Sequence, residues 1–448
     1  MKNKLKFIIS LVLVLTLITS VVITPASSFE HNQITSSYAM LLINLDTDTT
    51  VYSQKPDQYW IAGEMSELMT FILMTEKVKD PSEVDVKVTK AFIDGLDVSD
   101  DCLKQFVDET LTLKDLAAIM MLTSGSDAAN LIADTVSNGD IPAFVSEMNA
   151  RAKELGCKLT SFLSPGSNST RRHYTTCEDI AVMYRHLMGN TLYQEIMQSP
   201  TYTPDRYDKE DKAHTVTTNN SIINNASPYY FRYVEGGKYS FSKVAGASLV
   251  VSTLYKDKSY LFVALRGKNK AEENVFADAR RMTTWGYLNL SDHKVISTDT
   301  SVYTSTVQTA WGNYGIPLYA NDTATKTLPN DYDVSKLTVK ISVPDQLKLP
   351  LFKGESVGTA QILYGKELLD NADIVPNHDE GVSLLNDLGR FGGYALAKMF
   401  PNTPASASNE PDIQAVTEPS TEPATVAKQK TTAPTAPKPT RSAVDMEE

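Results

Sequence analysis

Two carboxylates three residues apart, Glu64 and Glu67, open the apolar run "GEMSELMTFILMTE". At this spacing two side chains share one face of a helix, which allows two kinds of chemistry. A carboxylate pair can act as acid and base on either side of a scissile bond, as in glycoside hydrolysis. Side chains at i and i+3 of one helix stand next to each other, however, and seldom bracket a substrate. Carboxylate oxygens also suit a hard cation, yet no further acidic cluster in the sequence completes such a site. The pair also makes an electrostatic demand: like charges on one turn repel, more strongly when buried, so a basic partner is expected. The six histidines and three cysteines (Cys102, Cys157, Cys177) show no ligand spacing. Neither a metal nor another cofactor is expected.

The rest of the chain bounds what the pair belongs to. At 448 residues, 42% hydrophobic and 21% charged, it is long enough for two or three folded domains. A net charge of −12 excludes a nucleic-acid binder, because no cationic surplus exists to meet phosphates. Lys2, Lys4 and Lys6 precede an apolar run over 7–23, and the small residues "TPASSF" follow. This is the pattern of an export signal spanning 1–28, with an uncleaved membrane anchor as the alternative reading. The body is expected outside the cytoplasmic membrane, at its outer face, in the wall or secreted. An odd cysteine count after export leaves at least one thiol unpaired, so no disulfide framework is asserted.

Strand-like runs at 39–45 and 50–53 flank the turn residues "DTDT" and read as a hairpin. Helical periodicity follows at 65–79, 113–123 (behind a Thr112 cap), 127–136, 141–155 (ending at Gly156) and 177–188. Strands return in "GASLVVSTLY" and "SYLFVALRG", and a helix covers 271–288. The pattern predicts an α/β (α+β) domain over 35–290, with an antiparallel sheet closed by both termini and a helical cluster. Short strand-like runs over 295–376 predict a small β-sandwich domain. Residues 379–400 form an amphipathic segment, with Leu384, Leu388, Phe391, Ala395 and Met399 on one helix face. From 401 to 448, eight prolines and no aromatic residue predict a disordered tail.

The motifs "MLTSGSDAAN", "LGCKLTSFLSPGS", "TTCEDIAVMYRHL" and "VEGGKYS", then "GASLVVSTLYKDKSYLFVAL" and "LPLFKGESVGTAQIL", occur in an order that resembles the serine-type D-alanyl-D-alanine carboxypeptidases. These are the low-molecular-mass penicillin-binding proteins of the bacterial wall. The resemblance implies a β-lactamase/transpeptidase-like fold and peptidoglycan stem peptides as substrates. It also implies three motifs: S-x-x-K, in which lysine activates a nucleophilic serine; S-x-N on a loop; and K-T-G on a strand edge, holding the substrate carboxylate.

The sequence departs from all three. Glu64 takes the nucleophile position and Glu67 that of the lysine base. Ser124 is kept, Ser126 replaces asparagine, Lys238 is kept, and Tyr239 and Ser240 replace threonine and glycine. A carboxylate attacking a peptide would form an anhydride, far above the amide in energy. The S-x-x-K matches Ser240/Lys243 and Ser291/Lys294 lie off the catalytic helix. The expectation is a catalytically silent homologue in which an acid pairs with Lys238 and Ser124 caps the helix starting near Asp127. It would bind stem peptides, engage wall enzymes or regulate active carboxypeptidases, and it would touch the membrane surface through 381–400. The alternatives are an active carboxypeptidase with a non-standard site and a hydrolase rebuilt around the two carboxylates.

Overall fold

Around the turn at Asp48 (φ 48°) the chain folds back into a hairpin of β1 (Ser37–Asn44) and β2 (Thr49–Gln54). Three further strands, β3 (Val234–Ser242), β4 (Gly246–Tyr255) and β5 (Lys258–Gly267), complete an antiparallel sheet in the order β2-β1-β5-β4-β3. Chain-distant β1 and β5 pair from Ser37↔Gly267 to Asn44↔Tyr260. The computed structural model describes residues 36–381, apart from 97–101, 168–169, 198, 205–213, 268–272 and 310–311. The export signal, the tail and the amphipathic segment beyond residue 381 lie outside these residues.

The middle of the chain supplies α1 (Glu67–Lys77), α2 (Leu113–Thr123), α3 (Ser126–Val136), α4 (Ile141–Leu155) and α5 (Cys177–Met188). Local chemistry sets their ends. Thr112 and Asp115 form a reciprocal capping box at the start of α2, Thr176 caps α5, and Gly156 at φ 97° ends α4. The last helix of this unit, α6 (Glu273–Asn289), packs on β4 and β5.

Strand alternation divides the sheet between two layers. Leu261, Val263 and Leu265 of β5 join the core formed with α1 to α5. Tyr260 points the other way, its hydroxyl donating to Gly286 O of α6 at 3.2 Å. Glycine at 286 lets the ring lie close, since a Cβ would sit 3.0 Å from it. With both faces covered, β5 is buried from Tyr260 to Leu265.

The chain divides into two compact units. Among the described residues, the first covers 36–293 and takes in Lys326–Asp331 and Lys366–Leu369; the second comprises Lys294–Thr325, Tyr332–Gly365 and 370–381. The second is built from β6 (Ser301–Thr309), β7 (Gly312–Ala320), β8 (Leu337–Ser342), β9 (Gln346–Leu347), β10 (Gly358–Tyr364) and, from Asp370 on, β11 (Glu367–Pro376). Hydrogen bonds link them in the order β8-β10-β11-β7-β6-β9.

Helix α6 also holds the start of β1. The buried Asp278 Oδ2 accepts bonds from the backbone N–H and hydroxyl of both Ser36 and Ser37, at 3.0–3.1 Å. Replacing this carboxylate leaves two buried donors at Ser37 without an acceptor. We expect Asp278→Ala to cost roughly 2–4 kcal/mol in urea unfolding, and a loss below about 0.5 kcal/mol would contradict the account.

Candidate functional site

Gly63, at φ +54°, turns the chain into a 3-10 turn (Gly63–Ser66) that leads directly into α1. Helical structure therefore begins two residues earlier than the periodicity predicts and ends two residues sooner, at Lys77. A buried histidine, unremarked in the sequence, fixes this turn. Leu163 N–H donates to His173 Nδ1 (3.1 Å), which leaves Nε2 to carry the proton and donate to Gly63 O (3.1 Å). The backbone N–H of Ala62 donates to His173 O at 3.0 Å.

Glu67 and Lys238 meet one turn further on. Glu67 Oε2 lies 2.7 Å from Lys238 Nζ, and both side chains are 0% exposed. Lys238 arrives from β3, an edge strand of the sheet. Its ammonium also reaches Ser124 Oγ (2.9 Å), Met120 O (3.2 Å) and Met121 O (3.3 Å). Three N–H donors are thus shared among four protein acceptors.

Ser124 does not cap α3 as expected. It ends α2 in the left-handed conformation (φ 57°, ψ 48°), and the residue before α3 is Gly125, which has no side chain to cap with. The reason is competition for the hydroxyl. Ser124 Oγ donates to Tyr239 O (2.7 Å) and accepts from Lys238 Nζ and Asn219 Nδ2 (3.1 Å). A hydroxyl with one proton and two lone pairs is then fully used. Asn219 was not singled out in the sequence because it lies 95 residues from Ser124.

Ser126 is also fully enclosed. Its Oγ accepts from Ser167 N–H (2.9 Å), and a Cβ on Gly166 would lie 2.8 Å from Ser126 Cα, so only glycine allows the loop this close. The same loop is fastened to α1 and the turn before it: Ser66 Oγ donates to Gly166 O (2.5 Å) and Thr70 Oγ1 to Pro165 O (2.7 Å). Glu64, Ser124 and Ser126 are all buried.

Alternation along β3 separates the remaining candidates. Lys238 and Ser240 face the turn before α1, with Ser240 Oγ beside Gly63, whereas the Tyr239 ring lies 4.9 Å from Phe276 of α6 on the opposite face. Only the Tyr239 carbonyl reaches the Ser124–Lys238 cluster. Neither S-x-x-K match lies on a helix: Ser240 is in β3 with Lys243 in the turn that follows it, and Ser291 and Lys294 share a strand, where residues three apart point to opposite faces. Lys243 is exposed while Ser240 is buried, and Ser291 Oγ instead contacts His293 Nε2 at 2.9 Å. Among the described residues no group of three His, Cys, Asp or Glu side chains could hold a metal ion. The three cysteines form no disulfide with one another. Cys157 and Cys177 are buried, which pushes the Cys157 thiol up to about 12 and raises that of Cys177 further.

The buried pair is best probed by a double-mutant cycle. Glu67→Leu or Lys238→Met alone strands a charge, and we expect each to cost about 3–5 kcal/mol. The double variant should cost far less than their sum, and additive losses would refute the coupling. Burial also holds His173 down at about 4, from 6.5. Between these values the unfolded chain binds a proton that the folded chain refuses. Stability should therefore fall by about 3 kcal/mol as pH drops from 6.5 to 4, and His173→Gln should flatten this part of the pH–stability curve.

Residues 25–269 match the family model described as D-alanyl-D-alanine carboxypeptidase, and residues 291–380 match the penicillin-binding protein 5 C-terminal domain. D-alanyl-D-alanine carboxypeptidase DacF of Bacillus subtilis is 23% identical over 347 residues, covering 76% of this chain and 84% of its own. The D-alanyl-D-alanine endopeptidase of Escherichia coli is 25% identical over 264 residues, covering 58% and 80%. Penicillin binding protein 5 from Haemophilus influenzae superposes with a TM-score of 0.62 at 18% identity, over 78% of this chain and 99% of that one, and shares the fold. With more than half its length matched, the chain belongs to the D-alanyl-D-alanine carboxypeptidase family.

Proposed function

We propose that the chain is a catalytically silent member of this family that binds in the wall instead of cleaving there. The buried Glu67–Lys238 ion pair carries the reading. The family resemblance assigns these two positions to the base and to the substrate's carboxylate anchor. Here they neutralise each other, and a lysine already sharing its three donors among four protein acceptors offers nothing to a D-alanine carboxylate. Glu64, at the nucleophile position, has no favourable acyl chemistry with an amide. The hydrolase reading of the carboxylate pair is disfavoured by the same contact, since Glu67 is taken by Lys238 and both acids are buried.

The accompanying picture is an exported protein: a signal over 1–28, a carboxypeptidase-like domain over 35–290, a β domain over 295–376, membrane-surface contact through 381–400 and a spacer beyond 401. Its work is to engage stem peptides or wall enzymes. Incubation of the purified protein with a labelled β-lactam tests the silence. We expect no covalent adduct in the wild type, and a stable adduct at any residue would overturn the proposal in favour of an active carboxypeptidase with a non-standard nucleophile.

A further inference from the structure

Two exposed cations on the first unit have aromatic rings, and no carboxylates, as their partners. The Arg266 guanidinium lies over the Trp60 ring (4.0 Å to the centroid) and beside Tyr38 (5.3 Å), and Lys55 Nζ lies 4.5 Å from the same Tyr38 ring. Neither has an ion-pair or hydrogen-bond partner among the described residues, in a chain with 54 acidic side chains. Both sit at positive φ, 49° for Lys55 and 52° for Arg266, a conformation that side-chain-bearing residues seldom adopt. Arg266 lies within a register shift between β4 and β5, the kind of irregularity that re-aims a side chain. The rings are held as well: Trp60 Nε1–H donates to Ala245 O at 2.8 Å, and Tyr38 and Trp60 lie 5.5 Å apart. Next to them Tyr59 is 60% exposed, tilted against Tyr174 at 5.2 Å, and Lys243 is exposed two residues from Ala245. Asp57 is the acid nearest in sequence.

We propose that this surface binds a carboxylate-bearing glycan strand, with pyranose C–H faces on Tyr59 and the Tyr38–Trp60 rings and carboxylates on Arg266 and Lys55. A guanidinium stacked flat on a ring keeps its N–H edge free to grip a carboxylate through two hydrogen bonds. Rings that are already ordered lose little freedom on binding. A neutral glycan would leave both cations unused, while a densely charged phosphodiester polymer would meet the repulsion of a net charge of −12. The proposal deepens the wall-binding reading above and rests on it.

Co-sedimentation of the whole protein with purified, peptide-bearing peptidoglycan stripped of phosphodiester polymers is the test. Wild type should bind, weakening with salt. Lys55→Gln with Arg266→Gln should weaken binding roughly tenfold while leaving the thermal midpoint within a few degrees. Arg266→Lys should restore part of the loss. No binding by wild type, equal binding by the double variant, equal binding to chitin, or tighter binding to a phosphodiester polymer would each overturn the proposal. The β-lactam adduct reports on the Glu67–Lys238 centre alone, so failure of the silent-site reading is distinguishable from failure of this one.

Discussion

One buried contact, Glu67 to Lys238 at 2.7 Å, organises the middle of the first unit. Taking two charges out of water is expensive, and their attraction compensates only if the remaining donors are also satisfied. On the lysine side the surroundings meet that condition. The Met120 and Met121 carbonyls at the end of α2 and the Ser124 hydroxyl complete the ammonium's shell. The left-handed Ser124, the placing of Asn219 and the register of β3 against α2 can all be read as consequences of satisfying one buried cation. A salt bridge across two elements also specifies alignment more sharply than an apolar contact of equal size, because a shift of one residue on β3 would put the charge on the opposite face.

The site is closed by geometry as much as by charge. Gly166 brings its loop against Ser126, the loop's carbonyls accept from Ser66 and Thr70, and His173 holds the Gly63 turn from the other side. Buried together, Ser66, Thr70, Ser124, Ser126, His173 and Lys238 bond to neighbouring backbone and side chains.

Much of this was legible in the sequence because it is written locally. The ends of α2, α4 and α5 follow from Thr112, Gly156 and Thr176, and the strands from alternation and turn residues. The altered motifs could be read at Glu64, Glu67, Ser126 and Tyr239 because neighbouring residues kept the register. What escaped was decided by distant partners. Ser124 resembles a helix cap until Tyr239, 115 residues away, claims its proton. Tyr239 falls within a binding motif, but alternation turns its ring towards Phe276. His173 gives no local signal, since its role depends on Gly63, 110 residues away.

The Asp278 clamp on Ser36 and Ser37 has a consequence for the order of assembly. The strand that begins the sheet is secured by a helix some 240 residues later, and its hydrogen-bonding neighbour β5 is almost as distant. A chain emerging from its N-terminus can form the β1–β2 hairpin and the helices early. The hairpin has nothing to dock on until β5 and α6 have been made. Closure of the sheet is then a late, non-local event, with the loop-closure entropy that slows folding of such topologies. Until that point the apolar edge of β1 is open to any other strand that meets it.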